Sequence, residues 1–407
     1  MGRLRGLKAL VHDAVDATTD LVGEGHASAS RAVDRVSGWI GPSAGPVLAV
    51  DGVRRLATAG VLGAIRAVNR GIETATDAAM DLPLDRVGQG APVLPSEPNP
   101  PVPLRSDALG SGPWIGDALL GAVNGAVGDH LHRRANGLDL GSSLRPDPAR
   151  IGPRLAVFVH GLGTTEWSWS FEAARFLGDP AATFGTLLHH DLGFSPVYAR
   201  YNTGRRVSDN GALLAAELER LIDGWPVPVE ELVLIGHSMG GLVVRAAGLS
   251  GQTAGHRWVS LLTRVVCLGS PHQGAGLERL AAAAAGVLAA IDHPATRIPA
   301  AVLDGRSAGI LDLGIGDVTG DATADTEHTL LPGVTYGFVA GSVTTDPNHP
   351  VSRVIGDLLV QVGSASGPAR VRAGAFTIET ARFGGIRHHH LQVHPDVYAH
   401  LRGLLER

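Results

Sequence analysis

An apolar strand that runs directly into a glycine-flanked serine constrains this chain more than any other feature. Residues 231–235 are short, apolar and preceded by charge, which is typical of a buried parallel strand. Gly236, Ser238 and Gly240 then form the pattern G-x-S-x-G, and a stretch suited to a helix follows. Strand, tight turn and helix in this order hold a serine hydroxyl clear of the backbone, where a base can take its proton. The pattern therefore predicts that Ser238 is a nucleophile.

The composition is that of a globular protein and excludes several functional classes. Of the 407 residues, 44% are hydrophobic and 18% are charged. The net charge of -5 does not indicate the excess of basic residues that is typical of nucleic-acid-binding proteins. The single cysteine, Cys267, lies in an apolar run, which predicts a small buried side chain on a strand and leaves no intrachain disulfide. No apolar run approaches the ~18 residues of a membrane-spanning helix, and no secretory signal is recognisable. We therefore expect a cytoplasmic protein.

Proline spacing and hydrophobic periodicity divide the chain into four parts. Residues 1–90 show helical spacing of apolar residues, which predicts an N-terminal helical region. Closely spaced prolines predict that residues 91–112 are an extended linker or a strap over the surface, and residues 113–150 are predicted to be a helical lead-in. From 151 to 407, apolar runs alternate with helical stretches, which predicts an α/β domain with a mostly parallel sheet covered by helices. The expected strands are residues 155–159, 197–201, 232–235, 265–268 and 334–339.

The N-terminal helical region has two interpretations. Amphipathic helices most often pack on a protein core, and we favour that reading. Peripheral docking on a membrane or lipid surface is the alternative, although the polar faces are less basic than such helices usually are. The oligomeric state is not legible in the sequence.

A nucleophilic serine needs a base, an acid that orients the base, and two amides that hold the oxyanion. In the fold expected here the chain order is serine, acid, histidine. The glycine-containing loop His160–Gly163 follows a predicted strand at once, so we assign one oxyanion donor to the amide of Leu162. The amide of Met239, next to the nucleophile, is assigned as the second donor.

The residues alone leave the base and the acid open. Three adjacent histidines, His388, His389 and His390, precede a final helix at about residues 395–405, where a base is expected. Such a tract is otherwise a surface feature or an incidental metal site. Asp346 and Asp357 both follow a predicted strand, and spacing does not decide between these two acids.

From about residue 150 to the end, the chain resembles the lipase/esterase branch of the α/β-hydrolases. It looks most like the PGAP1-like, LCAT-related lipase family of actinobacteria. The element L-G-[ST]-P-H-x-G, present here as Leu268–Gly274, is the most specific match. The resemblance implies an α/β-hydrolase fold. The region at about residues 276–332 is longer than a simple crossover, so we interpret it as a helical cap over the active site, with an extended helical crossover as the alternative. The other matching segments are residues 157–163, 200–204 and 235–243.

The resemblance selects one acid. Residues 356–365 are similar to the family segment G-D-G-x-V-P-x-x-S-A, whose aspartate is the triad acid, and this aspartate corresponds to Asp357. The chain departs from the segment at Leu358, where the family has glycine, and at Gln361, where it has proline.

The resemblance also selects one histidine. The family pattern H-x-x-x-x-x-H-P-x-V-Y aligns its first histidine with His388, and His389 is the next candidate. His237 and His272 match family positions as well, and we interpret both as structural supports.

Together these residues predict a serine carboxylester hydrolase, an esterase or lipase, that acts on small-molecule or lipid esters through an acyl-enzyme. Its catalytic residues are Ser238, Asp357 and His388, and neither a metal nor an organic cofactor is expected. Two alternatives stay open. The same triad could transfer the acyl group to an alcohol, or the chain could be a catalytically inactive binding protein with a hydrolase fold.

Overall fold

The computed structural model describes residues 113–275, 307–320, 330–346, 357, 360–368 and 374–407. Within these residues, seven strands form one sheet in the order β1-β3-β2-β4-β5-β6-β7. Strand β1 is antiparallel to β3, and every other neighbouring pair is parallel. The strands are β1 (Ser142–Pro146), β2 (Arg154–Val159), β3 (Phe194–Tyr201), β4 (Glu231–His237), β5 (Leu262–Leu268), β6 (Thr335–Ser342) and β7 (Thr377–Gly384).

Helices lie between most of the strands. These elements belong to one of two compact units of the chain, and of the other unit the structure describes only Arg134–Leu138. Among the described residues, three short 3-10 helices cover Glu166–Ser170, Arg257–Leu261 and His388–Gln392. The α-helices are α1 (Pro113–Arg133), α2 (Ala173–Leu177), α3 (Phe184–Leu192), α4 (Val207–Asp223), α5 (Met239–Ala254), α6 (Ala308–Ile315), α7 (Val362–Ala365) and α8 (Pro395–Leu405).

The sheet is covered on both faces, which explains why its central strands are continuously apolar. Along β2, Val157 and Val159 face a core that includes side chains of α4 and α5. Ala156 and Phe158 face a second core, built with side chains of α3 and α8. Because successive strand residues point to opposite faces, a strand buried on both sides needs apolar residues at every position.

The five predicted strands lie largely within β2 to β6, whereas β1 and β7 were not predicted. Strand β1 lies inside the lead-in of residues 113–150, which is therefore helical only over α1. Both missed strands are at the edges of the sheet and are partly exposed, so they lack the apolar runs of the central strands. The N-terminal region, the linker and most of the predicted cap lie outside the described residues.

The part of the chain that the structure describes contains no helix that is long and apolar enough to cross a membrane.

A buried arginine on β3 joins three elements. The Nε of Arg200 donates to the two carboxylate oxygens of Glu166 at 2.9 and 2.7 Å, and its Nη2 donates to Oδ2 of Asp117 on α1 at 2.6 Å. Glu166 begins the 3-10 helix that follows β2. The side chains of Arg200 and Glu166 are each 4% exposed, and Glu166 also pairs with Nη1 of Arg145 at 3.0 Å, so these buried charges form one network.

Replacing Arg200 with methionine is expected to lower the free energy of unfolding by about 3–5 kcal/mol, because Asp117 loses this buried cation and Glu166 keeps only Arg145. Urea denaturation would measure the loss. Arg133→Met is the matched control, since Arg133 pairs with Asp129 at 2.9 Å at the surface and such pairs contribute about 0–1 kcal/mol. Equal losses in the two variants would contradict this account of Arg200.

Candidate active site

Ser238 lies at a strained turn between β4 and α5. Its backbone has φ 54° and ψ -123°, a positive φ that side-chain-bearing residues rarely adopt. A Cβ at Gly236 would lie 2.4 Å from the backbone of Gly240, and a Cβ at Gly240 would lie 2.1 Å from the carbonyl oxygen of Val159. The two glycines of the motif are therefore required by the close approach of strand and helix, and the turn presents Ser238 at the carboxyl end of the sheet.

The two amides predicted as oxyanion donors belong to segments next to Ser238. Met239 is the first residue of α5, so its amide has no acceptor within the helix. Leu162 belongs to the loop after β2, and a Cβ at Gly161 would lie 3.0 Å from the Cβ of Ser238. The loop thus passes directly beside the turn that carries the serine.

The end of strand β3 and the turn after it hold this loop in place, a role that the sequence alone did not indicate. The hydroxyl of Tyr201 donates to the carbonyl oxygen of His160 at 2.7 Å, and the amide of Gly163 donates to Oγ1 of Thr203 at 3.0 Å. The ring of His160 stacks on that of Tyr201 with centroids 4.4 Å apart. Burial lowers the pKa of His160 to about 3, so this ring stays neutral and adds no charge beside the loop. The segment 200–204, matched only as a motif in the sequence, thus fixes both sides of Leu162.

His388 and Asp357 form a buried hydrogen-bonded pair. Nδ1 of His388 lies 2.7 Å from Oδ2 of Asp357, and the carboxylate is fully buried. The other oxygen, Oδ1, accepts a hydrogen bond from the amide of Val360 at 2.9 Å. The amide of His388 also donates to the carbonyl oxygen of Asp357 at 3.2 Å. Of the two acids considered, the structure brings Asp357 to the histidine, whereas Asp346 is exposed.

His237 connects this pair to the serine turn. Nε2 of His237 donates to the carbonyl oxygen of His388 at 3.0 Å, and the two rings are 4.8 Å apart. Burial and the nearby His388 lower the pKa of His237 well below its ordinary value, so it acts here as a neutral donor. Because His237 directly precedes Ser238, the hydrogen bond fixes the backbone of His388 beside the turn, which agrees with its interpretation as a structural support.

His272, the second expected support, is bonded to a buried arginine of α5. Its Nδ1 accepts a hydrogen bond from Nη1 of Arg245 at 2.9 Å, and its ring packs edge-on against Phe338. This pair joins the loop after β5 to the helix after Ser238.

His389 and His390 lie away from Asp357. Nε2 of His390 lies 2.8 Å from Oε2 of Glu172, and Nε2 of His389 lies 3.6 Å from the same atom. Burial, reinforced by the neighbouring His390, lowers the pKa of His389 to about 4. These three side chains could together hold a metal ion. Glu172 was not identified from the sequence, because it precedes the histidines by more than 200 residues and belongs to no motif.

Helix α6, within the predicted cap, packs against α1 and α4 and approaches the first residue of the serine helix. The amide of Gly309 donates to the carbonyl oxygen of Gly204 at 3.0 Å, and a Cβ at Gly309 would lie 3.0 Å from Cε of Met239. Leu311 and Ile315, one turn apart on α6, are 47% and 51% exposed. These two side chains lie on the side of α6 opposite Gly309, so the helix meets Met239 through its buried face.

The sequence profile of the alpha/beta hydrolase family matches residues 156–401. No curated protein sequence matches the chain. Among solved structures, the chain is similar to the mature lipase BlEst2 of Bacillus licheniformis, at 19% identity and a TM-score of 0.40, over 65% of this chain and 97% of that one. It is also similar to YbtT, a type II thioesterase from the yersiniabactin biosynthetic pathway, at 15% identity and a TM-score of 0.36, over 65% and 96% of the two chains. The esterase Pf2001 of Pyrococcus furiosus is similar at 15% identity and a TM-score of 0.34, over 63% and 81%.

Proposed function

The chain belongs to the alpha/beta hydrolase family, and on this premise we propose that it is a serine carboxylester hydrolase that works through Ser238, His388 and Asp357. The observation that carries the proposal is the buried hydrogen bond between Nδ1 of His388 and Oδ2 of Asp357, 2.7 Å long, beside the strained turn of Ser238. A histidine held in this way has one tautomer fixed by the carboxylate and its Nε2 left to accept a proton.

The proposed reaction has two steps. His388 takes the proton of Ser238 as the hydroxyl attacks the ester carbonyl, and then delivers it to the leaving alcohol as the acyl-enzyme forms. Water, activated by the same histidine, releases the acid. The amides of Met239 and Leu162 stabilise the oxyanion in both steps, and each such donor is commonly worth about 10²–10³ in kcat. The buried carboxylate of Asp357 stabilises the cationic His388 that each step creates.

An ester with an apolar acyl chain is the substrate that this site favours. Support comes from the apolar helix α6 in the predicted cap, whose Gly309 approaches Met239. The element Leu268–Gly274 supports placing the chain in the PGAP1-like, LCAT-related lipase branch.

Activity on p-nitrophenyl esters from acetate to palmitate tests the function and the acyl preference together. We expect hydrolysis, with a preference for medium and long chains. No hydrolysis of any ester would reject the function. A steep preference for acetate over palmitate would reject the apolar acyl site, and formation of a new ester with added alcohol would instead indicate acyl transfer.

A further inference from the structure

Three metal-ligating side chains meet beside the turn that carries His388. Glu172 directly precedes α2, and His389 and His390 belong to the 3-10 helix His388–Gln392. One ligand atom of each residue lies within 4.8 Å of the others. We call Glu172, His389 and His390 the carboxylate–imidazole cluster.

The donor set and its spacing suit a transition-metal ion. Two imidazole nitrogens and one carboxylate oxygen are ligands that Zn²⁺ takes at about 2.0–2.2 Å, with the fourth tetrahedral position open to water. Ligand atoms around such an ion lie about 3.4 Å apart. The separation between Glu172 and His389, 3.6 Å, already matches this value, and the 2.8 Å between Glu172 and His390 needs only a small widening.

The backbone of Glu172 is an independent indication. It is left-handed, with φ 58° and ψ 19°, a conformation that costs a residue with a side chain about 1–2 kcal/mol. Although Glu172 occupies the N-cap position of α2, its side chain makes no capping hydrogen bond. Instead, the strained backbone directs one carboxylate oxygen, Oε2, to the imidazoles. Strain of this kind concentrates at ligand-binding and catalytic positions.

The surroundings of the cluster hold its ligands in place and leave it open to solvent. The ring of Phe176 packs on His390 with centroids 4.6 Å apart, and the ring of Phe171 lies 5.9 Å from that of His389. Arg175 binds the other oxygen of Glu172, Oε1, at 3.0 Å, which leaves Oε2 to the histidines. The side chain of His390 is 10% exposed, whereas that of His389 is 45% exposed and gives an ion access.

We propose that Glu172, His389 and His390 bind one divalent transition-metal ion, with Zn²⁺ as the expected species. The ion takes no part in the reaction proposed above. It joins the segment before α2 to the turn of His388, and thereby stabilises the folded chain. The proposal is independent of the esterase assignment, because the cluster contains neither Ser238 nor Asp357.

Zinc titration of the chelator-treated full-length protein, in competition with a zinc-binding dye, tests the site. We expect each chain to bind one Zn²⁺ ion tightly. At a free Zn²⁺ concentration 100-fold above Kd, the Tm should rise by roughly 5–10 °C. Glu172→Gln should weaken Zn²⁺ binding at least tenfold, and His390→Ala should abolish tight Zn²⁺ binding. Circular dichroism and the Tm of the metal-free proteins establish that these variants are folded. His389→Ala, which removes the more exposed histidine of the cluster, should also weaken binding at least tenfold.

Two matched variants separate this site from other histidines. His190→Ala removes a histidine whose side chain is 86% exposed, and should leave tight Zn²⁺ binding intact. His388→Gln should also retain it, because His388 faces Asp357 rather than Glu172. Unchanged binding in Glu172→Gln and His390→Ala, loss of binding in His388→Gln, or no tight Zn²⁺ binding in the wild type would each overturn the proposal.

Discussion

Replacing Ser238 with alanine is expected to lower kcat for ester hydrolysis by about 10⁶-fold, the loss typical of removing a triad serine. Alanine keeps the Cβ, so the strained backbone and the packing around Gly236 and Gly240 are retained while the attacking hydroxyl is lost. The same variant should not react with a fluorophosphonate probe, which labels only an activated serine. Active-site titration with the probe, followed by mass spectrometry of the labelled peptide, measures both effects.

Ser270→Ala is the matched control for this experiment. Ser270 lies in the neighbouring loop after β5 and is fully buried, and its hydroxyl has no hydrogen-bond partner among the described residues. The control should keep wild-type labelling and activity. Equal labelling of the wild type and Ser238→Ala, or an unlabelled wild type, would remove the nucleophile from the proposed mechanism.

The central strands were predictable because burial on both faces of the sheet requires apolar residues at nearly every position. Strands β2 and β4 are apolar at nearly every position, and their glycine-containing loops follow at once. The edge strand β1 has the sequence Ser-Ser-Leu-Arg-Pro, and β7 consists of exposed and half-buried residues. Neither strand therefore shows a continuous apolar run. Their positions depend on pairing with β3 and β6, which is a tertiary property.

The residues alone could not determine which of the three adjacent histidines lies against an acid. In a 3-10 helix, successive side chains point about 120° apart, so neighbours in sequence face different surroundings. His388 meets Asp357 from the loop after β6, whereas His390 meets Glu172 from the segment after β2. Neither partner is marked by spacing, since each comes from a distant part of the chain. The family pattern selected His388 without this information, and the distances supply its physical basis.

Replacing Asp357 with asparagine is expected to lower kcat by about 10⁴-fold, because the amide no longer stabilises the cationic histidine and favours the wrong tautomer of His388. The side chain keeps its size, so the hydrogen bond from the amide of Val360 can be retained at the carbonyl oxygen. Asp346→Asn is the control, since Asp346 is the other acid in this region and is exposed. Steady-state kinetics on one p-nitrophenyl ester compares the two variants. A large loss of kcat in Asp346→Asn but not in Asp357→Asn would mean that Asp346 is the acid of the triad.

Combining the two catalytic substitutions tests whether the residues act as one unit. If Asp357 acts only by preparing His388 to take the proton of Ser238, then Asp357 contributes nothing to the rate once the Ser238 hydroxyl is removed. The double variant Ser238→Ala, Asp357→Asn should therefore be no slower than Ser238→Ala alone, as is found when members of one triad are removed together. Losses that multiply would mean that Asp357 contributes to the rate separately from Ser238. In that case the buried pair of Asp357 and His388 would have a structural role, and the base would have to be sought elsewhere.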